Sequence, residues 1–238
     1  MANEKIRSAV VLAAGKGTRM GALTQETPKT MLPVHGRPLL EHVLERLESA
    51  GIERFCVVVG FRRELIEQHF DNWRKPVVFR VQDPVDGTGS AARLAREFVP
   101  GEPFLLTFGD ILCEPAAYQR CERTLLSNGR TQAVLGVKET DDPWRAAAVY
   151  ADGEVVTRVI EKPPKGESKT RWASAGVYAM RPAVFEYLDR LELSPRGEYE
   201  LTSIFQTILA DGLEIRMAPM EGAWRDVGRP EDLAAVNR

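Results

Sequence analysis

Short apolar runs alternate with amphipathic segments along the first half of the chain. Residues 9–13 and 55–59 are apolar runs rich in strand formers, and between them residues 38–50 repeat apolar positions at helical spacing before Gly51. The same alternation predicts a helix, a strand, a helix and a strand, in that order, at residues 63–70, 77–81, 90–98 and 104–107. Strands that alternate with helices indicate a largely parallel sheet covered on both faces.

The second half is less regular. Its patterns predict strands at 133–137, 146–150, 155–160 and 173–180, and helices at 182–189 and 201–210. Some of these strands are expected to pair antiparallel. The Pro/Gly/charge-rich residues 162–169 are predicted to form a surface loop. We therefore expect one α/β domain over residues 1–238.

Composition narrows the functional classes. The formal net charge of −2 produces no global field for nucleic acid or an anionic membrane, so a polyanionic ligand requires a local cluster of cations. Three cysteines without a C-x-x-C pair argue against a disulfide framework and a cysteine-rich zinc site, and favour a reducing cytoplasm. No segment approaches the roughly 18 apolar residues of a membrane-spanning helix. The apolar residues 9–14 are too short for a secretion signal.

The loop after the first strand, residues 12–21, carries small residues and two cations. Glycines let backbone N–H groups approach a phosphate, and Lys16 and Arg19 can neutralise its charge. A P-loop is excluded because Lys16 precedes Gly17, and a dinucleotide fingerprint is disfavoured because Met20 replaces glycine and no acid follows the second strand. Taken alone, the segment could also be a turn that needs glycine only for backbone geometry.

A second segment favours the phosphate interpretation. Lys29 lies between Pro28 and Pro33 in an otherwise apolar stretch, which suits contact with an anion. Together, residues 12–20 and 28–34 resemble the L-A-A-G-x-G-T-R-[ML] and P-K-x-[ML]-[LV]-P-[VI] signature of the sugar-phosphate nucleotidyltransferases. The resemblance implies a three-layer α/β/α Rossmann-like fold with a mixed, mostly parallel sheet. It also implies that Arg19 and Lys29 stabilise phosphate charge during attack on the α-phosphorus, and that the triphosphate is wrapped by Leu12, Ala13, Ala14, Gly15, Lys16, Gly17 and Thr18.

Further positions fall where that family has its nucleotide and metal sites. Gln82, Gly87 and Thr88 are expected to contact the base, although Gly87-Thr88-Gly89 could simply start a helix. Asp110 follows an apolar strand, and carboxyl ends of strands line the ligand crevice of open α/β sheets. The resemblance makes Asp110 a magnesium ligand, the alternative being a turn or cap residue. Asp226, in W-R-D-V-G-R-P-E-D-L, takes the place of the second metal-binding aspartate.

The sugar side departs more from the family pattern. Glu161 and Lys162 match E-K-P, which supplies a carboxylate for sugar hydroxyls and a lysine for the sugar phosphate; an exposed ion pair is the alternative. Ser174 replaces the usual asparagine of N-A-G-[IV]-Y, where Ala175 and Gly176 follow. Glu200 matches the acidic position of a segment in which Ser203 replaces the usual aspartate. Some relatives continue into a left-handed β-helix, which we do not expect within this chain.

The expected activity is Mg²⁺-dependent transfer of a nucleotidyl group from a nucleoside triphosphate to a sugar 1-phosphate, with UTP or dTTP favoured because Gln82 can pair with a uracil or thymine edge. A GTP-using mannose-1-phosphate guanylyltransferase and a cytidylyltransferase on another phosphorylated alcohol are alternatives. A non-catalytic regulatory subunit that binds nucleotide sugars belongs to a different class, as does an NAD-dependent dehydrogenase. Neither nucleic acid nor membrane is expected as a partner, and members of the family often form homo-oligomers.

Overall fold

The computed structural model describes residues 5–238. The strands are β1 (Ser8–Ala13), β2 (Pro33–Val34), β3 (Arg37–Pro38), β4 (Arg54–Val59), β5 (Val77–Val81), β6 (Phe104–Phe108), β7 (Ile111–Cys113), β8 (Thr131–Glu139), β9 (Ala147–Asp152), β10 (Val155–Glu161), β11 (Trp172–Met180), β12 (Glu214–Pro219) and β13 (Trp224–Asp226). The α-helices are α1 (Leu39–Ser49), α2 (Arg63–Phe70), α3 (Thr88–Arg93), α4 (Pro115–Leu126), α5 (Val184–Leu188), α6 (Ser203–Ala210) and α7 (Pro230–Val236).

Nine strands form the main sheet in the order β5-β4-β1-β6-β11-β8-β12-β10-β9. The first four are parallel to one another, as the alternation of strands and helices predicted. β11 lies antiparallel to both β6 and β8, β12 is parallel to β8, and β10 is antiparallel to β12 and β9. The expected antiparallel pairing in the second half is thus confirmed. The sheet is mixed, and the mostly parallel character predicted for it holds only in the first half.

Helices cover both faces of the sheet. In β1, Val10 and Leu12 belong to a core shared with α3, α5 and α6, whereas Val11 and Ala13 belong to a core shared with α1, α2 and α4. This division follows from the period of two along a strand, which sends alternate side chains to opposite faces. A central strand buried on both faces requires an apolar run, which is why residues 9–13 are all hydrophobic.

Several elements differ from the predictions. The helix predicted at 90–98 is α3 from Thr88 to Arg93 followed by a 3₁₀ turn at Arg96–Phe98, because Leu94 and Ala95 form i→i+3 bonds that tighten the chain. The 12-residue helix α4 was not predicted, nor were β7, β12, β13 and α7. The other predicted elements are confirmed with small shifts at their ends, and residues 162–169 form a loop.

Backbone hydrogen bonds gather the ends of the parallel strands. Gly109 N donates to Leu12 O at 2.9 Å, and Phe61 N donates to Ala14 O at 3.1 Å. A separate two-stranded sheet pairs β7 with β13 and sets Asp226 opposite Ile111. The loops after β1, β4 and β6 therefore meet at one edge, beside β13. Among the helices of residues 5–238, none is both long and apolar enough to cross a membrane.

Candidate active site

The loop after β1 is shaped by a close crossing of Lys29. Gly17 has φ +72°, and a Cβ added there would lie 2.6 Å from Lys29 Cβ. Its carbonyl accepts hydrogen bonds from Met20 N at 2.9 Å and from Thr24 Oγ1 at 3.0 Å. Glycine is required here both for the left-handed backbone and for the space that the Lys29 stem occupies. The two predicted phosphate-binding segments are thus packed against each other.

Four charged side chains predicted to act in catalysis or metal binding converge at this edge. Lys29 Nζ donates to the Asp110 carboxylate. Val227 N donates to Asp110 O at 2.9 Å, which holds the Asp226 segment beside Asp110. A Cβ added at Gly228 would lie 3.1 Å from Asp226 Oδ1 and 3.3 Å from Arg19 Nη2. The Arg19 guanidinium and the Asp226 carboxylate therefore lie on either side of the same small gap.

The two carboxylates influence each other. Asp226 is exposed to the cleft, and its pKa is raised by loss of water on the protein side and then by the negative charge of Asp110. Lys29 and Arg19 act in the opposite direction on this pKa. Within residues 5–238 no group of three or more His, Cys, Asp or Glu side chains forms a ready-made metal site. Two carboxylates that repel each other, with open space beside them, leave coordination positions for other oxygen ligands.

Gln82, which the sequence predicts to contact the base, is buried and held by internal contacts. Its Nε2 donates to Gly87 O and to Ser90 Oγ, both at 2.8 Å. A carbonyl oxygen can only accept, so the amide nitrogen must face it and Oε1 is left for a ligand. Gln82 lines a cavity of about 670 Å³ together with Lys16, Phe61 and Val85. Lys16 Nζ lies over the Phe61 ring, 5.1 Å from its centroid.

The Gly87-Thr88-Gly89 segment, predicted to contact the base, packs against a segment predicted to bind the sugar phosphate. A Cβ at Gly87, which has φ +138°, would lie 2.4 Å from Tyr199 O. Gly89 N donates to Tyr199 O at 2.7 Å, and Thr88 Oγ1 accepts from Leu201 N at 3.0 Å. The start of α3 is therefore packed directly against the loop segment that carries Glu200. The hydroxyl of Thr88 is already engaged in this contact.

The predicted sugar-phosphate residues lie in a small network of charges. Glu161 accepts from Thr202 Oγ1 at 2.6 Å and lies 3.6 Å from Lys162 Nζ. Arg196 Nη1 lies 3.0 Å from Glu200 Oε1 and 3.7 Å from Glu161 Oε1. Sequence reasoning missed Arg196, although its place two residues before Glu198 in a Pro-Arg-Gly turn made it visible. With Glu198, which lies 3.6 Å from Arg196 Nη2, the network contains three acids and two cations, so it offers groups for hydroxyls and for an anion.

Two features of this network indicate functional constraint. Lys162 has φ +38°, a left-handed conformation that a long side chain rarely adopts. Such strain persists where the surrounding structure demands it, and it is concentrated at functional sites. Glu200 is buried, and its pKa is raised by burial and by Glu161, while Arg196 and Lys162 lower it. The two cations therefore favour the ionised form of Glu200 against the effect of burial.

The segment 174–176 forms an irregular turn within β11, where the register with β8 shifts. Ser174 Oγ is buried and lies 2.8 Å from the Tyr178 hydroxyl. Ala175 O accepts from Trp224 Nε1 at 2.9 Å, and Gly176 has φ +74° with Phe108 packed where a Cβ would lie. The Ser174 hydroxyl thus has a partner inside the protein.

Sequence reasoning also missed Lys138, which no motif marked. It lies near the end of β8, and its Nζ is 3.5 Å from the centroid of the Trp224 indole. Asp226 is two residues after Trp224 on β13, so the two side chains are on the same side of that strand. Lys138 is therefore a further cation near Asp226, on which its charge acts.

These features define a class of protein: an α/β fold with a glycine-rich basic loop, paired carboxylates and a charged pocket at one sheet edge, suited to phosphate chemistry on two anionic substrates. The sequence pattern of the nucleotidyl transferase family matches residues 8–238. The chain belongs to the nucleotidyl transferase family.

Individual relatives agree with this assignment. The chain is 33% identical over 235 residues to the bifunctional protein GlmU of Methanococcus vannielii, covering 96% of this chain and 54% of that protein. It is 34% identical to the UTP–glucose-1-phosphate uridylyltransferase AglF of Haloferax volcanii, with coverage of 94% and 92%. A UDP-glucose pyrophosphorylase solved with UDP-glucose superposes with a TM-score of 0.85 at 22% identity, over 98% and 97% of the two chains. This chain spans about half the length of the GlmU relatives.

Proposed function

We propose that this protein transfers a nucleotidyl group from a nucleoside triphosphate to a sugar 1-phosphate, giving a nucleotide sugar and pyrophosphate. The observation that carries the proposal is the convergence of Arg19, Lys29, Asp110 and Asp226 between the Gln82 cavity and the Glu161–Lys162 network. If the Gln82 cavity binds the base and the Glu161–Lys162 network binds the sugar, the α-phosphate of the triphosphate and the phosphate of the sugar meet at these four charges. The activity in the name of AglF supports the same reaction type.

In the proposed step, a phosphate oxygen of the sugar 1-phosphate attacks the α-phosphorus, and the bond from the α-phosphorus to the bridging oxygen of the β-phosphate breaks. Both electrons of that bond leave with pyrophosphate. No general base is needed because the attacking oxygen is already ionised at neutral pH. The protein's task is to cancel repulsion between the substrates and to align them. Arg19 and Lys29 stabilise the departing pyrophosphate, and Lys162 holds the attacking phosphate.

The donor set fits a magnesium ion. Asp110 and Asp226 present carboxylate oxygens, which Mg²⁺ prefers, and two protein carboxylates with the remaining positions filled by phosphates and water are typical of phosphoryl-transfer sites. Bound there, the cation would neutralise charge on the reacting phosphates. Lys29 Nζ donates to the Asp110 carboxylate, so a cation held by that carboxylate would leave the Lys29 ammonium group to the phosphates.

The orientation of Gln82 favours a base with an N–H donor at its pairing edge. Because Nε2 is held by Gly87 O and Ser90 Oγ, the free group is the acceptor Oε1. N3–H of uracil or thymine can donate to it. At the same ring position N3 of cytosine can only accept, so cytosine would have to donate from its exocyclic amino group instead. UTP or dTTP is thus our proposed donor. Guanine also has a donor at N1, so a GTP-using mannose-1-phosphate guanylyltransferase is a second candidate.

A pyrophosphate-release assay tests the proposal across the nucleoside triphosphates and a panel of sugar 1-phosphates. We expect release with UTP or dTTP and at least one sugar 1-phosphate, and none when either substrate or the divalent cation is withheld. Activity only with CTP and a polyol phosphate would support the cytidylyltransferase alternative. Binding of a nucleotide sugar without turnover of any pair would indicate a regulatory subunit. The cytoplasmic location and the association into homo-oligomers stay predictions.

A further inference from the structure

The ammonium group of Lys138 lies close to the candidate metal site without an ionic partner. Its Nζ is 3.5 Å from the Trp224 ring centroid. It forms no ion pair or hydrogen bond with another residue of the described range 5–238. Burial lowers the pKa of Lys138, and the charges of Asp226 and Asp232 act in the opposite direction to Arg145, which lowers it further. A cation that has lost part of its water, and whose direct contact is an aromatic face and not a carboxylate, is poised for an anion.

Trp224 holds this cation in a defined direction. The indole N–H donates to Ala175 O at 2.9 Å, which fixes the ring against the segment predicted to contact the sugar. Trp224 also precedes Asp226 by two residues on β13, so the ring and the carboxylate are on the same side of that strand. On β8, Lys138 pairs with Ala173 of β11, one residue before Ser174. Lys138 thus lies between the candidate sugar segment and the candidate metal carboxylates.

We propose that Lys138 binds an anionic group of the acceptor and helps to determine which acceptors the protein accepts. This inference rests on the function proposed above. The acceptor enters next to Asp110 and Asp226, whose negative charges repel it. A positive charge beside Asp226 offsets that repulsion on the acceptor side, while Arg19 and Lys29 lie on the triphosphate side. The anionic group is either the anomeric phosphate or a carboxylate carried by the sugar, since both present the same charged oxygens to an ammonium.

The test compares the wild-type protein with Lys138→Met, which keeps the length and the packing on Trp224 but removes the charge. Lys138→Arg restores a cation, and Lys75→Met removes a lysine charge before the amino end of β5, opposite the cleft. Steady-state kinetics are measured with the preferred triphosphate, and with glucose 1-phosphate and glucuronic acid 1-phosphate as acceptors. Thermal melting of each variant shows whether the fold is retained.

We expect Lys138→Met to raise KM for the acceptor by about tenfold or more, with KM for the triphosphate nearly unchanged. Lys138→Arg should recover part of the loss, and Lys75→Met should match the wild type. If KM rises equally for both acceptors, Lys138 binds the anomeric phosphate. If KM rises only for glucuronic acid 1-phosphate, Lys138 binds the sugar carboxylate.

An unchanged acceptor KM in Lys138→Met, or equal losses for triphosphate and acceptor, would overturn the proposal while the function stands. Wild-type protein that turns over no pair of substrates would overturn both.

Discussion

Replacing Lys29 with Met removes one charge from the point where the substrates are proposed to meet. The side chains of Lys29 and Asp110 are only 12% and 16% exposed, so the charge acts in a medium less polar than water. At an effective dielectric constant of about 20, a unit charge about 4 Å away contributes roughly 4 kcal/mol. Loss of a single group that stabilises transition-state charge costs about 3–4 kcal/mol in other enzymes. The two figures agree, and they correspond to a fall in kcat of about 100- to 1,000-fold.

The variant is chosen to keep the fold. Methionine retains the stem that packs on Gly17 and loses only the ammonium group. The Asp110 carboxylate then loses its partner, so the melting temperature without divalent cation should fall by about 2–4 °C for each 1 kcal/mol lost. Single-turnover measurements with saturating substrates and Mg²⁺ give the rate of the chemical step directly. Lys29→Arg is the matched control, which should retain more activity than Lys29→Met. A rate for Lys29→Met within a factor of about three of the wild type would remove Lys29 from the proposed mechanism.

Three further predictions address the rest of the site. Asp110→Asn and Asp226→Asn should each raise the Mg²⁺ requirement and lower turnover. Because the pKa of Asp226 is raised in the folded protein, the wild-type protein loses stability as pH rises from 3.8 through the folded-state pKa. Asp226→Asn should therefore melt at a higher temperature than the wild type at neutral pH, and this difference should shrink as pH falls towards 3.8. Lys162→Ala should weaken sugar 1-phosphate binding far more than triphosphate binding, as measured by calorimetry. Lys162→Gly should weaken binding in the same way, and it should also raise the melting temperature because it relieves about 1 kcal/mol of left-handed backbone strain. Gly87→Ala should destabilise the fold in chemical denaturation by more than the roughly 1–3 kcal/mol expected for Gly21→Ala, since an added Cβ would lie 2.4 Å from Tyr199 O at Gly87 but would meet no atom within 4 Å at Gly21.

The first half of the fold could be predicted because its signals are local. Residues 9–13 and 55–59 are buried on both faces, so their apolar runs are unbroken, and α1 ends at the glycine that follows it. Helix α4 carried a comparable signal that the prediction overlooked: a proline in its first turn and buried Ala117, Cys121 and Leu125 four residues apart. β7 and β13 have three residues each, and they are stabilised by pairing with each other, which no local pattern records.

The candidate site shows the same difference between residues marked by local sequence signals and residues placed by long-range contacts. The basic loop, Lys29 and Asp110 follow strands whose order along the chain predicts a shared edge. Lys138 and Arg196 depend instead on how β8 and the 191–199 loop are brought to the cleft by distant parts of the chain. The internal partners of Gln82 Nε2 likewise depend on tertiary structure. The sequence left both the amide donor and the carbonyl acceptor of Gln82 open to a ligand, and these contacts leave only the acceptor.

The central claim is that nucleotidyl transfer occurs between two bound phosphates at the Asp110–Asp226 carboxylates. Phosphorus NMR of a mixture of protein, UTP, glucose 1-phosphate and Mg²⁺ follows both substrates and both products in one sample, with dTTP in a parallel sample. The account predicts paired nucleotide-sugar diphosphate signals that grow in step with pyrophosphate, and no change when the protein carries Asp110→Asn together with Asp226→Asn or when excess chelator is present. Product formation at the wild-type rate in either of those two samples would contradict it.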